Sequence, residues 1–290
     1  MGDDTMKIKS DTFNAWLPWL IFASAFFLFY QHTVSTLFYD WKTNPNFSHG
    51  FLIPFIAVYM GWCKKEELAS IEPKPSRWGI SILLAGMGLH VLGTLGAELF
   101  ILRCSLILTL VGVIVFVYGF AMLKALWIPA AYLFLMIPLP SIIWNKIAFP
   151  LQLFAARMSA EVIQLIGIPV FREGNILHLS NTSLEVVDAC SGLRSLTSLI
   201  ALSGIFAFLA PLSAVKKSIL FFSAVPVAVV VNVIRLSITA AMAYWISPET
   251  AHGFLHDISG LIIFGLALIL IYLIFILELK LEKLQIGIEK

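Results

Sequence analysis

The sequence predicts an all-α polytopic membrane bundle of about eight transmembrane helices, with a short outward-facing amphipathic helix and β-hairpin before the sixth span. Three observations predict it. Apolar residues make up 60% of the 290 and charged residues only 12%, whereas a soluble domain is about half apolar and about a quarter charged. The mean hydropathy is +0.93. Apolar runs recur at the length of a bilayer crossing, about 20 residues. This excludes a disordered chain, a disulfide scaffold and a soluble enzyme with a detachable anchor. The net charge of +2 does not suggest nucleic-acid binding. Cys63, Cys104 and Cys190 are too few for a disulfide framework and have no metal-motif spacing, so neither a metal nor another cofactor is expected.

The expected spans are 16–37, 50–63, 79–97, 104–123, 125–144, 193–210, 218–246 and 258–279. The first has a long apolar run and no clean small-residue cleavage site after it, so it reads as an uncleaved anchor. Eight spans leave both ends of the chain on one side. Twelve of the 19 basic residues fall on that side: Lys7, Lys9, Lys64, Lys65, Lys74, Arg77, Lys124, Lys216, Lys217, Lys280, Lys283 and Lys290. The positive-inside rule makes it cytoplasmic. Residues 1–15 and 280–290 are then cytoplasmic tails around a membrane domain, 16–279. The stretches 38–49, 97–103, 145–192 and 247–257 face outward.

Within 145–192, Lys146, Arg157 and Glu161 recur among apolar residues. That fits a helix lying in the interface or packed on the bundle. Residues 170–188 then alternate, which reads as a hairpin turning at Ser180-Asn181-Thr182.

Ionisable side chains inside spans are functional candidates by default. Arg235 lies eleven residues before Ile246, about 16 Å below the outer end at helical rise. Asn232 is three positions earlier, on the same helix face. Two readings are open for Arg235: chemistry, or a buried cation that ties helices together. Cys190 sits in Val-Val-Asp-Ala-Cys-Ser-Gly-Leu-Arg-Ser-Leu, where a strand-like segment gives way to an apolar helix. A thiol at a helix N-terminus with a cation nearby has a lowered pKa. Arg194 and Arg235 are the candidate cations, and Gly192 permits close substrate approach. The alternative is a small buried cysteine, the reading preferred for Cys63 and Cys104.

His256 begins the eighth span, with His252 four residues earlier. Cys190, Arg235 and His256 therefore share the outer leaflet. A thiol, an imidazole and a guanidinium at a water-accessible lip suit cysteine-dependent acyl transfer: nucleophile, proton carrier and charge stabiliser. The outward turn Asn44-Pro45-Asn46-Phe47-Ser48-His49-Gly50-Phe51 offers Ser48 and His49 to a substrate entrance or, equally, to capping. Asp188 is either a solvated carboxylate or the group that orients a base. His32, His90 and His178 have no partner spacing.

Two other function classes compete. One is a Ser–His intramembrane protease using Ser203, although Ala201 stands where a Gly-x-Ser-Gly element has glycine. The other is a multispan transporter or lipid-binding protein with Arg235 as an anion site, although no internal repeat or broken-helix pair is evident.

Three motifs together resemble the exosortase/archaeosortase family of membrane cysteine transpeptidases. They are Ala189-Cys190-Ser191-Gly192-Leu193-Arg194-Ser195, Asn232-Val233-Ile234-Arg235 and His256-Asp257-Ile258-Ser259-Gly260. The Ser48-His49-Gly50-Phe51 turn and Gly167-Ile168-Pro169-Val170 are similar too, so the resemblance covers roughly 40–275. It implies Cys190 as nucleophile, with Arg235 and His256 completing the site. The implied partners are exported membrane proteins ending in a sorting signal: a Pro-containing (PEP-CTERM-like) motif, a transmembrane helix and a basic tail. The implied setting is the bacterial cytoplasmic (inner) membrane, with the site facing the periplasm or exterior, often beside exopolysaccharide production. An amine, water or a cell-envelope acceptor would resolve the thioester. The chain ends soon after the last span, so the extra C-terminal domain of some members is not expected.

Overall fold

The structure is a computed structural model. It describes the backbone of residues 3–186, 193–247 and 254–288, and the side chains of those residues except 3–19, 21, 193, 194, 254–259 and 285–288. It is 81% helical. The helices are α1 (Asp3–Thr43), α2 (Ile53–Cys63), α3 (Lys65–Ser70), α4 (Trp78–Leu95), α5 (Leu99–Tyr118), α6 (Phe120–Tyr132), α7 (Ser141–Leu165), α8 (Leu193–Leu209), α9 (Ala214–Phe222), α10 (Ala224–Trp245) and α11 (Phe254–Ile288). Short 3-10 helices cover Pro45–Phe51 and Leu133–Met136.

Four stretches among the described residues are long and apolar enough to cross a membrane: Trp78–Leu95, Leu99–Tyr118, Ala214–Trp245 and Gly260–Leu284. A fifth results if the bent pair Phe120–Met136 and Ser141–Leu165 counts as one. Of the eight expected, 16–37 runs partly through residues whose side chains lie outside the description, 193–210 corresponds to the shorter apolar helix Ser195–Leu209, and two others differ for local reasons. Helix α2 has 11 residues, about 16 Å at helical rise, roughly half the hydrocarbon thickness. The expected fifth span, 125–144, is cut at Met136 because Pro138 and Pro140 follow. Proline lacks the N–H that continues a helix and pushes the preceding residue out of the helical region. The chain turns there by 87° before α7 begins.

The chain forms two compact units, residues 1–43 with 73–123 and residues 44–72 with 124–290. In the first, α4 and α5 are an antiparallel pair sealed by glycine. The buried residues of α4 are Gly79, Gly86 and Gly93, one every seven positions. A Cβ at Gly79 would land on the Phe116 backbone and one at Gly86 on the Thr109 hydroxyl. At Gly93 it would lie 2.8 Å from the Leu102 nitrogen. Such small-residue seams let helix backbones approach where lipid provides no hydrophobic drive between them. Helix α1 joins through polar contacts. The Tyr30 hydroxyl meets Thr109 Oγ1 at 2.7 Å, and Asp40 accepts from Arg103 at 2.7 Å.

The second unit is built on α10. Its first half packs with α8 and α11 around Leu196, Leu199, Val227, Val231, Ile263 and Ala267. Its second half packs with α7 and a small sheet around Ala156, Ile163, Leu177, Val186, Leu236 and Ala240. The sheet has three antiparallel strands, β1 (Val170–Glu173), β2 (Ile176–Leu179) and β3 (Ser183–Glu185), in the order β1-β2-β3. The sequence predicts two strands here. The additional strand β1 arises because Gly174, at φ +60°, closes a tight turn that most side chains resist.

Helix α7 is amphipathic. Ala148, Gln152, Ala155, Ala156, Ser159, Ala160 and Ile163 form its buried stripe, while Arg157 and Glu161 pair on its exposed side at 3.1 Å. The two ends of α10 are distinguished by their contacts. Near its C-terminus, Asn181 of the β2–β3 turn donates to the Ala243 carbonyl at 2.7 Å. Beyond its N-terminus, Lys216 of α9 pairs with Glu282 of α11 at 2.8 Å.

Candidate functional site

The buried stripe of α10 runs Ala224, Val227, Ala228, Val231, Asn232, Arg235, Leu236, Ser237, Ala240 and Ala243. This 3–4 spacing is the helical period of a core face. Asn232 and Arg235 occupy positions in it where an apolar residue would be expected. Asn232 is 2% exposed and Arg235 is 9% exposed. They lie at the seam where α10 passes from the α8–α11 cluster to the α7–sheet cluster, between Val231 and Leu236. Ten residues separate Arg235 from Trp245, the last residue of α10, so it sits about 15 Å below that end.

A buried amide normally finds a partner for each of its polar atoms. Neither the oxygen nor the nitrogen of the Asn232 carboxamide does so among the described residues. Ser237, by contrast, is closed on itself, donating to the Val233 carbonyl one turn back at 2.8 Å.

The turn that carries Ser48 and His49 is a 3-10 helix, and its start is encoded locally. Asn44 Oδ1 accepts from the Asn46 N–H at 3.0 Å, and Pro45 follows at the first helical position, where its missing N–H costs nothing. Ser48 donates to the Pro45 carbonyl at 3.1 Å. Tertiary contacts then fix the turn. Thr197 of α8 donates to the Asn46 carbonyl at 3.1 Å, and His49 Nε2 meets the Leu135 carbonyl at 3.2 Å. The turn therefore packs beside the first turns of α8, the helix that follows the Cys190 motif in sequence.

A carbonyl only accepts, so Nε2 carries the proton and Nδ1 of a neutral His49 bears a lone pair. That Nδ1 is buried with no partner among the described residues. Burial holds the His49 pKa below its ordinary value, and the bond to Leu135 offsets this only in part.

Cys190, Asp188, Gly192 and His252 lie outside the described residues. Arg194 falls in the first turn of α8 and His256 in the first turn of α11, with their side chains outside the description. Among the sequence candidates, the structure thus sets Asn232 and Arg235 on one buried face, and Ser48 and His49 beside the start of α8.

The sequence reading missed Thr197 and the Leu135 carbonyl, which fix this turn. Neither has a local signature, because both act across more than 80 residues of chain. Ser203, the nucleophile of the serine-protease reading, is 0% exposed. Its hydroxyl lies 3.1 Å from the Ile200 carbonyl and 3.2 Å from the Phe221 carbonyl. Cys63 is exposed and Cys104 half-buried, both as free thiols.

The model of the transmembrane exosortases matches residues 41–273 of this chain. No curated protein and no solved structure matches it.

Proposed function

We propose that this chain, which belongs to the transmembrane exosortase family, is a cysteine transpeptidase acting on exported proteins with a C-terminal sorting signal. Family membership and the apolar helices make it a multi-pass membrane protein. The inner membrane, an outward-facing site and a role beside exopolysaccharide or cell-envelope export belong to the proposal. The observation that carries it is a buried arginine one turn from an open carboxamide on α10, in a chain that also bears the Cys190 and His256 motifs.

Cys190 is the nucleophile. Its proton passes to His256, and the thiolate attacks the scissile carbonyl carbon. The Arg235 guanidinium stabilises negative charge, first on sulfur and then on the carbonyl oxygen. The C–N bond breaks, and the leaving amine takes the proton from the His256 imidazolium. The released piece carries the substrate's helix and basic tail. An amine, water or an envelope acceptor then attacks the thioester, returning the thiol. Arg194, Asp188, Gly192, His252, Asn232, Ser48 and His49 support binding around these three.

The topology suits such a substrate. A basic cytoplasmic tail and a single helix place the cleavage motif at the outer leaflet. The Asn181–Ala243 contact near the C-terminal end of α10 and the Lys216–Glu282 pair beyond its N-terminal end support an outer sheet and an inner basic end.

The test is the size of a co-expressed protein carrying such a signal. Cys190→Ala and Cys190→Ser are expected to abolish processing while the enzyme still accumulates in the membrane, since a hydroxyl stays protonated in a site tuned for a thiolate. Processing by Cys190→Ala at the normal rate would refute the mechanism.

A further inference from the structure

The Asn232 carboxamide is a buried donor and acceptor, both without a partner among the described residues, and we infer that it binds the main-chain N–H and C=O of one extended substrate residue, unwound at membrane depth. The inference rests on the transpeptidase reading and specifies what that site holds.

The argument begins with depth. Asn232 lies thirteen residues from Trp245 at the end of α10, about 20 Å along the helix. It is 2% exposed, and both its side-chain polar atoms lack partners among the described residues. Because both atoms are open, the conclusion does not depend on which way the amide is turned. The neighbouring stripe positions, Val231, Ala228 and Leu236, are apolar, so an asparagine here costs stability that an aliphatic side chain would not. Ser237 on the same helix shows the usual solution, a bond to its own backbone. Asn232 does not take it.

Substrate chemistry meets that open pair. A scissile bond is attacked only after the helix around it opens, and each opened residue exposes one N–H and one C=O. In the hydrocarbon region, backbone freed from a helix persists only where protein or water pairs it. A carboxamide has the complementary set, an acceptor and a donor side by side, and the N–H and C=O of one extended residue face the same side to meet them. A substrate carboxylate would use the donor alone and leave the oxygen unmet. The guanidinium of Arg235, one turn nearer the outer end, is the better partner for negative charge. Asn232 thereby holds the unwound main chain on the inner side of the scissile bond, while Arg235, one turn nearer the outer end, stabilises the developing charge. It is a positioning residue, since it acts through the substrate main chain.

The experiment uses the full chain in lipid nanodiscs and a synthetic peptide of the C-terminal signal that wild type, but not Cys190→Ala, processes in cells. Single amide-to-ester replacements are scanned across the residues flanking the cleavage point, and the rate of Cys190 acylation is read. In wild type, one ester position is expected to slow acylation about tenfold, the scale of one hydrogen bond. Asn232→Leu should slow the all-amide peptide by a similar factor and show no further loss at that position. Asn232→Leu should also melt no lower than wild type in the absence of peptide, because it relieves an unmet polar group. Asn232→Ser, smaller and still polar, provides the same comparison should the leucine variant fail to accumulate. An ester profile identical in wild type and variant overturns the inference, as does a lower melting temperature for Asn232→Leu. If wild type acylates no cysteine at all, the transpeptidase reading itself fails, which is a separate result.

Discussion

The α4–α5 seam and the α7–α10 seam are both lined by small residues, yet they close differently. Between α4 and α5, three glycines spaced by seven bring backbone against backbone. The polar pairs nearby are Tyr30 with Thr109 and Arg103 with Asp40, while Thr33 Oγ1, His90 Nδ1 and Arg103 Nε are single buried atoms without a partner among the described residues. Between α7 and α10, alanines replace glycines, and Gln152, Ser159, Asn232, Arg235 and Ser237 are buried along the stripes. Some of these remain open. Neither Asn232 atom has a partner among the described residues, nor does the Ser159 hydroxyl. Polar groups that answer one another across a seam, as Tyr30 and Thr109 do, hold it together. A buried side chain with both polar atoms open, as Asn232 has among the described residues, gives up stability for capacity to bind, as expected where local rules are broken at a functional site.

The largest effect should separate the two buried arginines. Arg103 is 2% exposed, donates to Asp40 at 2.7 Å and reaches the Thr36 carbonyl at 3.3 Å. A lysine can keep that ion pair, so Arg103→Lys should leave processing close to wild type. Arg235→Lys should abolish it, because an ammonium lacks the planar fork and sheds its proton more readily when buried. Both variants are compared by substrate size in cells at matched enzyme level. Equal activity of the two would erase the distinction between the seams.

A middle-sized effect is expected from glycine. Gly93→Ala puts a Cβ 2.8 Å from the Leu102 nitrogen and 3.0 Å from its Cα. Backbone cannot step aside as a flexible side chain can, so the cost should be about 1–3 kcal/mol. Thermal unfolding of the purified protein should register that loss, while processing per folded molecule stays unchanged. Loss of turnover without loss of stability would show that the first unit does more than support.

The smallest effect concerns pH. Burial holds the His49 pKa below its ordinary value of about 6.5. The unfolded chain therefore takes up its proton first as pH falls. The associated stability is complete above about pH 6.5 and is lost as pH drops toward the lowered folded value. Melting temperatures at pH 7.5 and 5.5 should fall further for wild type than for His49→Gln. An equally steep fall in the variant would show that other groups carry the slope.

The helical membrane architecture is legible in hydropathy because apolar runs are a one-dimensional signal. Its breaks are legible too. Pro138 and Pro140 mark the end of the helix at Met136, although the sequence reading extends a span through them to residue 144. Gly174-Asn175 likewise marks the β1–β2 turn, which that reading passes over. Gly79, Gly86 and Gly93 repeat at seven, a period hidden within an otherwise uniform apolar run. The site is legible in a different way. Asn232 and Arg235 stand out because polar residues inside spans are rare. What no local pattern reveals is their satisfaction. That Ser203 is closed by two carbonyls, that His49 meets Leu135, and that Asn232 meets nothing among the described residues all depend on chain segments far apart in sequence.

The central claim is that Cys190 carries the substrate as a thioester. Its most direct test is mass spectrometry of the purified enzyme, quenched in acid during turnover of a signal-bearing protein and digested. The account predicts the N-terminal product attached through the peptide that contains Cys190, released by neutral hydroxylamine and absent from Cys190→Ala. An adduct on Cys63, Cys104 or Ser203, or turnover with no adduct on Cys190, would contradict it.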